Sequence, residues 1–265
     1  MDATKKRALV TGASSGLGTE IARVLAARGI DLVLAARRLD RLEALAEELR
    51  REHKVDVAVY SADLAQVDAA QHLFDEVRAA GHRIDYLVNN AGVGHFGPFL
   101  GQSISQIQEM IAVDVTAVMV LTRLFAKVMR DQGGGNILQI SSFAALQPIP
   151  RYGIYSGAKS FLIATAQAFQ HEFRKTGVRI SVVAPGFMLT EFHDVAKHER
   201  TMLMKLTTLP VSYTARKAVA GMLRGKLLIT PGLFYQINGV MVRFLPRRLA
   251  SRISAMSVGG KQLEQ

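Results

Sequence analysis

The chain has no cysteine among its 265 residues, so neither disulfides nor thiolate metal sites can be built, which suits a reducing compartment. No apolar run approaches the roughly 20 residues of a membrane-spanning helix. Lys5, Lys6 and Arg7 precede an apolar run that stops at Val10, too short for the core of a signal peptide. A cytoplasmic location is therefore expected. Acidic residues are the scarcer charge, 22 against 33 lysines and arginines, giving a formal net charge of +11. Such an excess invites a nucleic-acid partner, but the distribution argues against one. Arg37, Arg38, Arg41, Arg50, Arg51 and Arg78 are interleaved with acids such as Glu43, Glu47 and Glu48, as on a solvated face. Only the C-terminal part is one-sided: Arg224, Lys226, Arg243, Arg247, Arg248, Arg252 and Lys261 face Glu264 alone. His193 and His198, near Glu191, Asp194 and Glu199, resemble a ligand cluster, yet a spacing of five does not share a helical face. No metal site is expected.

Linkers, repeats and low-complexity tracts are also lacking. Gly133 to Gly135 and Pro148 to Pro150 are short turns, so residues 1–265 are expected to form a single domain. Apolar strand-like runs recur at Ala8 to Val10, Leu32 to Ala35, Val55 to Tyr60, Ile84 to Val88, Ile137 to Ile140, Ile180 to Val183 and Leu227 to Ile229. Helical patterns lie between them. Continuous apolar strands alternating with amphipathic helices predict an α/β fold, a doubly wound parallel sheet of seven strands with helices on both faces. A ligand would lie beyond the carboxyl ends of the strands, where the strand order reverses.

The first strand leads into Thr11, Gly12, Ala13, Ser14, Ser15, Gly16, Leu17 and Gly18, and Leu17, Ile21, Val24 and Leu25 then recur at helical spacing. Glycines at a strand-to-helix junction let the backbone approach a diphosphate, while free N–H groups at the helix start supply partial positive charge. Further along, Tyr155 and Lys159 are four residues apart and share one face of a helix. A phenol, with a reference pKa of about 10, needs a nearby cation to release a proton near neutrality. Lys159 is placed to be that cation.

The TGxxxGxG spacing resembles the short-chain dehydrogenases and reductases, in their short single-domain branch, from Arg7 to about Thr230. Other motifs carry the resemblance in order: Asp63, the NNAG string Asn89 to Gly92, Ser142, Tyr155 and Lys159 at 13 and 17 residues beyond it, Pro185 with Gly186, and Thr190. The resemblance implies that Tyr155 is the acid-base residue, that Lys159 lowers its pKa and binds the nicotinamide ribose, and that Ser142 holds the substrate oxygen. Ser141 is the neighbouring alternative, and the 13-residue interval favours Ser142. Bringing a phenol from about 10 to about 7 takes roughly 4 kcal/mol of phenolate stabilisation. The resemblance also implies an adenine-binding position at Asp63 and Leu64, a cofactor-lining turn at Asn90, Ala91 and Gly92, and a nicotinamide contact at Thr190. Asp63 alternatively caps a helix from Val67.

One position departs from the family. Its usual Asn on the helix after NNAG is here Asp114, within Val113, Asp114, Val115 and Thr116. In the family that Asn holds a helix irregularity beside the lysine, so Asp114 joins the expected catalytic set. The second strand ends in Ala36, Arg37 and Arg38, where an acid would bind a ribose 2′-hydroxyl. A guanidinium there grips a 2′-phosphate instead, and a charged hydrogen bond of about 1.5 to 3 kcal/mol implies a preference of order 10- to 100-fold. NADP(H) is the expected cofactor.

A lid near 187–212 offers Phe187, Met188, Leu189, Phe192, Met202, Leu203, Met204 and Leu206, and His95, Phe96, Pro98, Phe99, Phe143, Leu146, Ile149 and Tyr152 are expected to line the same cleft. An apolar carbonyl substrate follows. Beyond about residue 231 the extension carries Phe234, Ile237, Val240, Met241, Phe244 and Leu245 at helical spacing before Pro246. It either packs over the cleft or onto a partner subunit in a homodimer or homotetramer, or, with Arg243, Arg247 and Arg248, makes weak contact with a membrane surface. The leading reading is an NADPH-dependent carbonyl reductase. The alternatives are a catalytically silent nucleotide-binding regulator, against which the Ser142, Tyr155 and Lys159 set counts, and a sugar-nucleotide epimerase or dehydratase, whose relatives differ in glycine spacing and chain length.

Overall fold

A computed structural model describes residues 5–191 and 202–257. Among them β1 (Arg7–Thr11), β2 (Asp31–Ala36), β3 (Val57–Ser61), β4 (Tyr86–Asn89), β5 (Gly135–Ile140), β6 (Val178–Val183) and β7 (Leu228–Ile229) form one sheet in the order β3-β2-β1-β4-β5-β6-β7. Every neighbouring pair is parallel. Parallel strands need crossovers, and helices covering both faces explain why β2 is buried at all six positions. Alternate residues feed two cores. Val10, Leu34, Val88 and Leu138 pack with α1 (Gly16–Ala26), α2 (Leu39–His53) and α8 (Val211–Leu223). Leu9, Val33, Leu87 and Ile137 pack with α3 (Ala69–Ala79), α5 (Val118–Asp131) and α6 (Gly153–Glu172).

Three strands start later than the apolar pattern predicts, β7 by the single residue Leu227. Val55 and Ile84 are buried but precede β3 and β4. At that entry edge acidic side chains take backbone donors: Asp31 Oδ1 accepts the Asp56 N–H at 2.9 Å and Asp85 Oδ2 the Arg7 N–H at 3.1 Å. The same acids anchor the first basic cluster, with Lys5 Nζ 2.8 Å from Asp31 and Lys6 Nζ 3.4 Å from Asp85.

The helix after NNAG is interrupted. Between α4 (Ile104–Ile111) and α5 the chain makes a π-helical turn over Ala112–Ala117, which turns Asp114 fully into the interior. Such turns are frequent at functional sites. Ser103 and Gln106 fix the start of α4 through a reciprocal capping box.

After β6 the chain passes through the loop to Glu191, α7 (Met202–Thr207) and α8 before β7, then α9 (Leu233–Met241) and α10 (Arg247–Ser257). Tyr235 of α9 ties this region together. Its hydroxyl accepts the Phe187 N–H at 3.0 Å and donates to the Thr207 carbonyl at 3.0 Å, so the segments at Phe187 and Thr207 meet on one side chain. The ring fills the space beside Gly186, where a Cβ would come within 2.0 Å of Tyr235 Cζ. Only glycine fits there. Tyr235→Phe keeps the ring and removes the bridge, so we expect a loss of about 2 kcal/mol at roughly 1 kcal/mol per hydrogen bond. Amide exchange at Phe187 should accelerate, and exchange equal to wild type would contradict the bridge.

Candidate active site

The carboxyl ends of the strands open on a cavity of about 690 Å³. Gly12, Ser14, Ser15, Gly16 and Leu17 line one end of it, with Arg37, Arg38, Asp63, Leu64, Asn90, Ala91 and Gly92. Ser142, Tyr155, Lys159, Pro185, Gly186 and Thr190 line the same cavity. Gly18 and Asp114 do not face it: Gly18 lies beneath the turn and Asp114 behind Lys159.

The turn after β1 is a fitted cradle. Gly12 and Gly16 take left-handed φ values of 64° and 58°. A Cβ on Gly18 would lie 2.4 Å from the Gly12 carbonyl oxygen, so glycine lets α1 sit close under the turn. Asn90 latches the turn to β4, donating from Nδ2 to the carbonyls of Thr11 at 2.9 Å and Gly12 at 3.0 Å. Thr11 Oγ1 accepts the N–H groups of Asn90 at 3.0 Å and Ala91 at 3.1 Å. Ser15 precedes α1 without a side-chain cap bond, so no Ser15 side chain takes the N–H groups of the first turn, and Ser15, Gly16 and Leu17 line the cavity. This geometry suits a diphosphate.

At the end of β2 the two arginines diverge. Arg38 Nε donates to Ser14 Oγ at 3.4 Å and its Nη1 to Glu191 at 2.9 Å, while Arg41 Nη1 reaches Glu191 at 2.7 Å. These hydrogen bonds, that to Arg41 first, hold the Glu191 carboxyl below the usual range. Arg37 leans toward Glu109 at 3.7 Å. Glu191 is thus an arginine partner; His193, Asp194, His198 and Glu199 lie outside the described residues. Among the described residues no cluster of three metal-ligating side chains occurs. Asp63 folds a local turn, accepting from the Ala65 N–H at 3.3 Å and Gln66 Nε2 at 3.2 Å, and the next helix begins only at Ala69. It caps no helix.

The four residues expected to do chemistry converge. Lys159 is 3% exposed and its Nζ donates to Asp114 Oδ1 and to the Ile140 carbonyl, both at 3.0 Å. The same ammonium lies 5.7 Å from the centre of the Tyr155 ring. Ser142 hydrogen-bonds Tyr155 and accepts the Ala144 N–H at 3.1 Å. Ser141 is excluded from that role because its buried Oγ donates to the Lys159 carbonyl at 2.7 Å.

In the chain's own field the phenol moves opposite to the expectation from Lys159. Burial pushes Tyr155 well above the usual phenol range, the Asp114 charge adds to it, and the hydrogen bond from Ser142 opposes. Burial also raises the Asp114 carboxyl, against the attraction of Lys159.

The far end of the cavity is largely apolar. Phe143, Ile149 and Tyr152 line it, as expected, together with Phe187 and Met188 after β6. The other predicted liners are elsewhere. Phe96 packs its ring 5.0 Å from Tyr152, His95 pairs with Glu109 at 3.2 Å, Phe99 is exposed, and Leu146 packs beside Gly239. Pro98 precedes a short 3₁₀ turn at Phe99–Gly101, outside the lining. Phe192 and the side chains of Met202, Leu203 and Met204 lie outside the described residues; Leu189 and Leu206 are exposed. Helices α9 and α10 supply the missing wall through Phe234, Tyr235, Met241 and Ile253, with Asn238 and Gln147 as polar points. Sequence reasoning missed Tyr235, Gln147 and Asn238, none of which a local pattern marks.

The family model for short chain dehydrogenases matches residues 6–201. Human 17-beta-hydroxysteroid dehydrogenase type 3 is 36% identical over 184 residues, covering 67% of this chain and 57% of that protein, so the match spans under two thirds of the relative. Zebrafish (Danio rerio) very-long-chain 3-oxoacyl-CoA reductase-B is 30% identical over 264 residues, covering 98% of this chain and 78% of that protein. A short-chain dehydrogenase from Sphingobium yanoikuyae, solved with NADPH, superposes with a TM-score of 0.80 at 30% identity, covering 91% of this chain and 97% of that one. With its TGxxxGxG turn, parallel sheet and Ser142–Tyr155–Lys159 site on the same frame, the chain belongs to the short-chain dehydrogenase/reductase family of oxidoreductases.

Proposed function

We propose that the protein is an NADP(H)-dependent carbonyl reductase that interconverts an apolar ketone and its secondary alcohol. The observation that carries this reading is the meeting of Ser142, Tyr155 and Lys159 in one cavity with the Gly12 to Gly18 turn. Arg38 beside Ser14, with Arg37 on the same rim, supports a 2′-phosphate. The NADPH complex of the Sphingobium relative supports it too. A bound nicotinamide supplies a hydride to the carbonyl carbon in reduction and takes one back in oxidation. The chain's residues do the rest. Tyr155 gives its phenolic proton to the carbonyl oxygen and Ser142 donates a hydrogen bond to that oxygen as charge develops, with the Lys159 ammonium 5.7 Å from the centre of the Tyr155 ring. The relatives named for hydroxysteroid and very-long-chain 3-oxoacyl-CoA chemistry, with the apolar far wall, support a large apolar substrate.

The roles of Asp63, Leu64, Asn90, Ala91, Gly92, Pro185, Gly186 and Thr190 as cofactor contacts belong to the same reading, as does a single catalytic unit over 1–265 in the cytoplasm. The silent-regulator alternative would leave the Ser142–Tyr155 pairing without a task. On α9 and the turn after it, Leu233, Ile237, Val240 and Phe244 are exposed beside Arg243. We assign this face to self-association as a homodimer or homotetramer, with weak membrane contact as the second reading.

Tyr155→Phe should lower turnover at least about 100-fold with NADPH binding nearly unchanged. Wild type should also use NADPH about 10- to 100-fold more efficiently than NADH. Near-normal turnover in the variant, or parity between cofactors, would contradict the reading. Sedimentation should give a multiple of the chain mass and no flotation with anionic vesicles; salt-sensitive flotation would move the α9 face to the membrane.

A further inference from the structure

We propose that Asp114 is a positioning residue that takes up the charge of Lys159, so that the site works as a proton donor to carbonyls rather than a proton acceptor from alcohols. The inference rests on the reading of Tyr155 as the acid proposed above. Its basis is geometric. Asp114 is fully buried in the π-helical turn, and its Oδ1 meets Lys159 Nζ at 3.0 Å without an intervening group. Gly92 makes the contact possible, since a Cβ there would lie 2.8 Å from Asp114 Oδ1 and 3.1 Å from Lys159 Nζ. The Val93 N–H also donates to Oδ1, at 3.3 Å. Among the described residues Oδ2 makes no hydrogen bond, so the carboxylate is compensated through Oδ1 and Lys159.

The family's usual Asn would present a neutral amide at this place. Asp114 is taken as ionised, held so by the ammonium 3.0 Å away against the burial that raises its carboxyl, and its charge then cancels much of the field that Lys159 exerts on the phenol. The charged and titratable groups around the pair are few: Glu109 from α4 acts on Asp114, Asp114 acts on Tyr155 of α6, and the Tyr152 ring lies 5.7 Å from that of Tyr155. Glu109 adds negative charge, and β5 contributes the neutral Ile140 carbonyl. The Asp114 charge disfavours a phenolate at Tyr155. Reduction requires the protonated phenol and oxidation the phenolate, so the arrangement favours reduction across a wider pH range.

The sign for Asp114→Asn is fixed. Removing the negative charge leaves Lys159 free to stabilise the phenolate, so Tyr155 should deprotonate at lower pH, by about one pH unit or more. Ultraviolet difference titration of tyrosinate, subtracting the Tyr155→Phe protein, isolates this group from the other tyrosines and needs no substrate. A downward move supports the proposal, and an unchanged or upward one overturns it. If Asp114→Asn does not fold, wild type alone decides: its Tyr155 should titrate above the free-phenol value of about 10, and titration at or below that overturns the proposal. With cofactor and substrate, the alkaline limb of reduction should fall in step. A wild type that shows the titration but reduces no carbonyl would sink the proposed function and leave the Asp114–Lys159 coupling standing.

Discussion

The cleft depends on one constraint, the parallel pairing of β1 with β2 on one side and β4 on the other. Chain direction through the crossovers reverses between β1 and β4, so the loops leaving their carboxyl ends part in opposite directions and leave a crevice. Thr11 and Asn90 then hold the two walls together by side-chain to backbone hydrogen bonds at the floor of that crevice. Because β5 and β6 are in register with β4, the chain segments after them, with Ser142 and Gly186, are delivered to the same edge. The glycines supply what side chains would block. Packing on both faces of the sheet fixes the rest.

Within that frame the electrostatics are governed by a cation out of water. An ammonium as buried as that of Lys159 is costly unless its donors are used, and the Ile140 carbonyl and Asp114 use two of them. The same partners that stabilise the ammonium also divide its influence. A lysine shared with a buried carboxylate acts less on a neighbouring phenol than a lysine held by neutral oxygens. On the proposed roles, the reactivity of Tyr155 is therefore tied to a residue that does not line the cavity.

Much of this was legible in the sequence, and for physical reasons. Apolar runs of strand length between amphipathic helices specify a doubly wound sheet because both faces must be buried, and the sheet has that order. Short motifs such as TGxxxGxG and the Tyr155–Lys159 pair are local, so their positions survive folding and the structure brings them to one cavity. Properties that depend on long-range packing were not legible. His95, Phe96 and Phe99 read as cleft residues, but a hydrogen bond to Glu109 and ring packing on Tyr152 hold the first two outside the lining. The tie of Tyr235 to Phe187 and Thr207 joins segments far apart in the chain, and no local pattern marks it. The direct bond between Asp114 and Lys159 spans 45 residues, and only the departure from the family's Asn signalled that something there is different.

The most direct test of the account follows the hydride itself. The protein would be incubated with NADPH deuterated at the transferring carbon and a panel of apolar ketones, and the alcohols analysed by mass spectrometry. The account predicts one deuterium on the carbinol carbon of at least one product, from wild type and not from Tyr155→Phe. Alcohol formed without deuterium at that carbon from either prochiral label, or no alcohol from any ketone while NADPH binds, would contradict it.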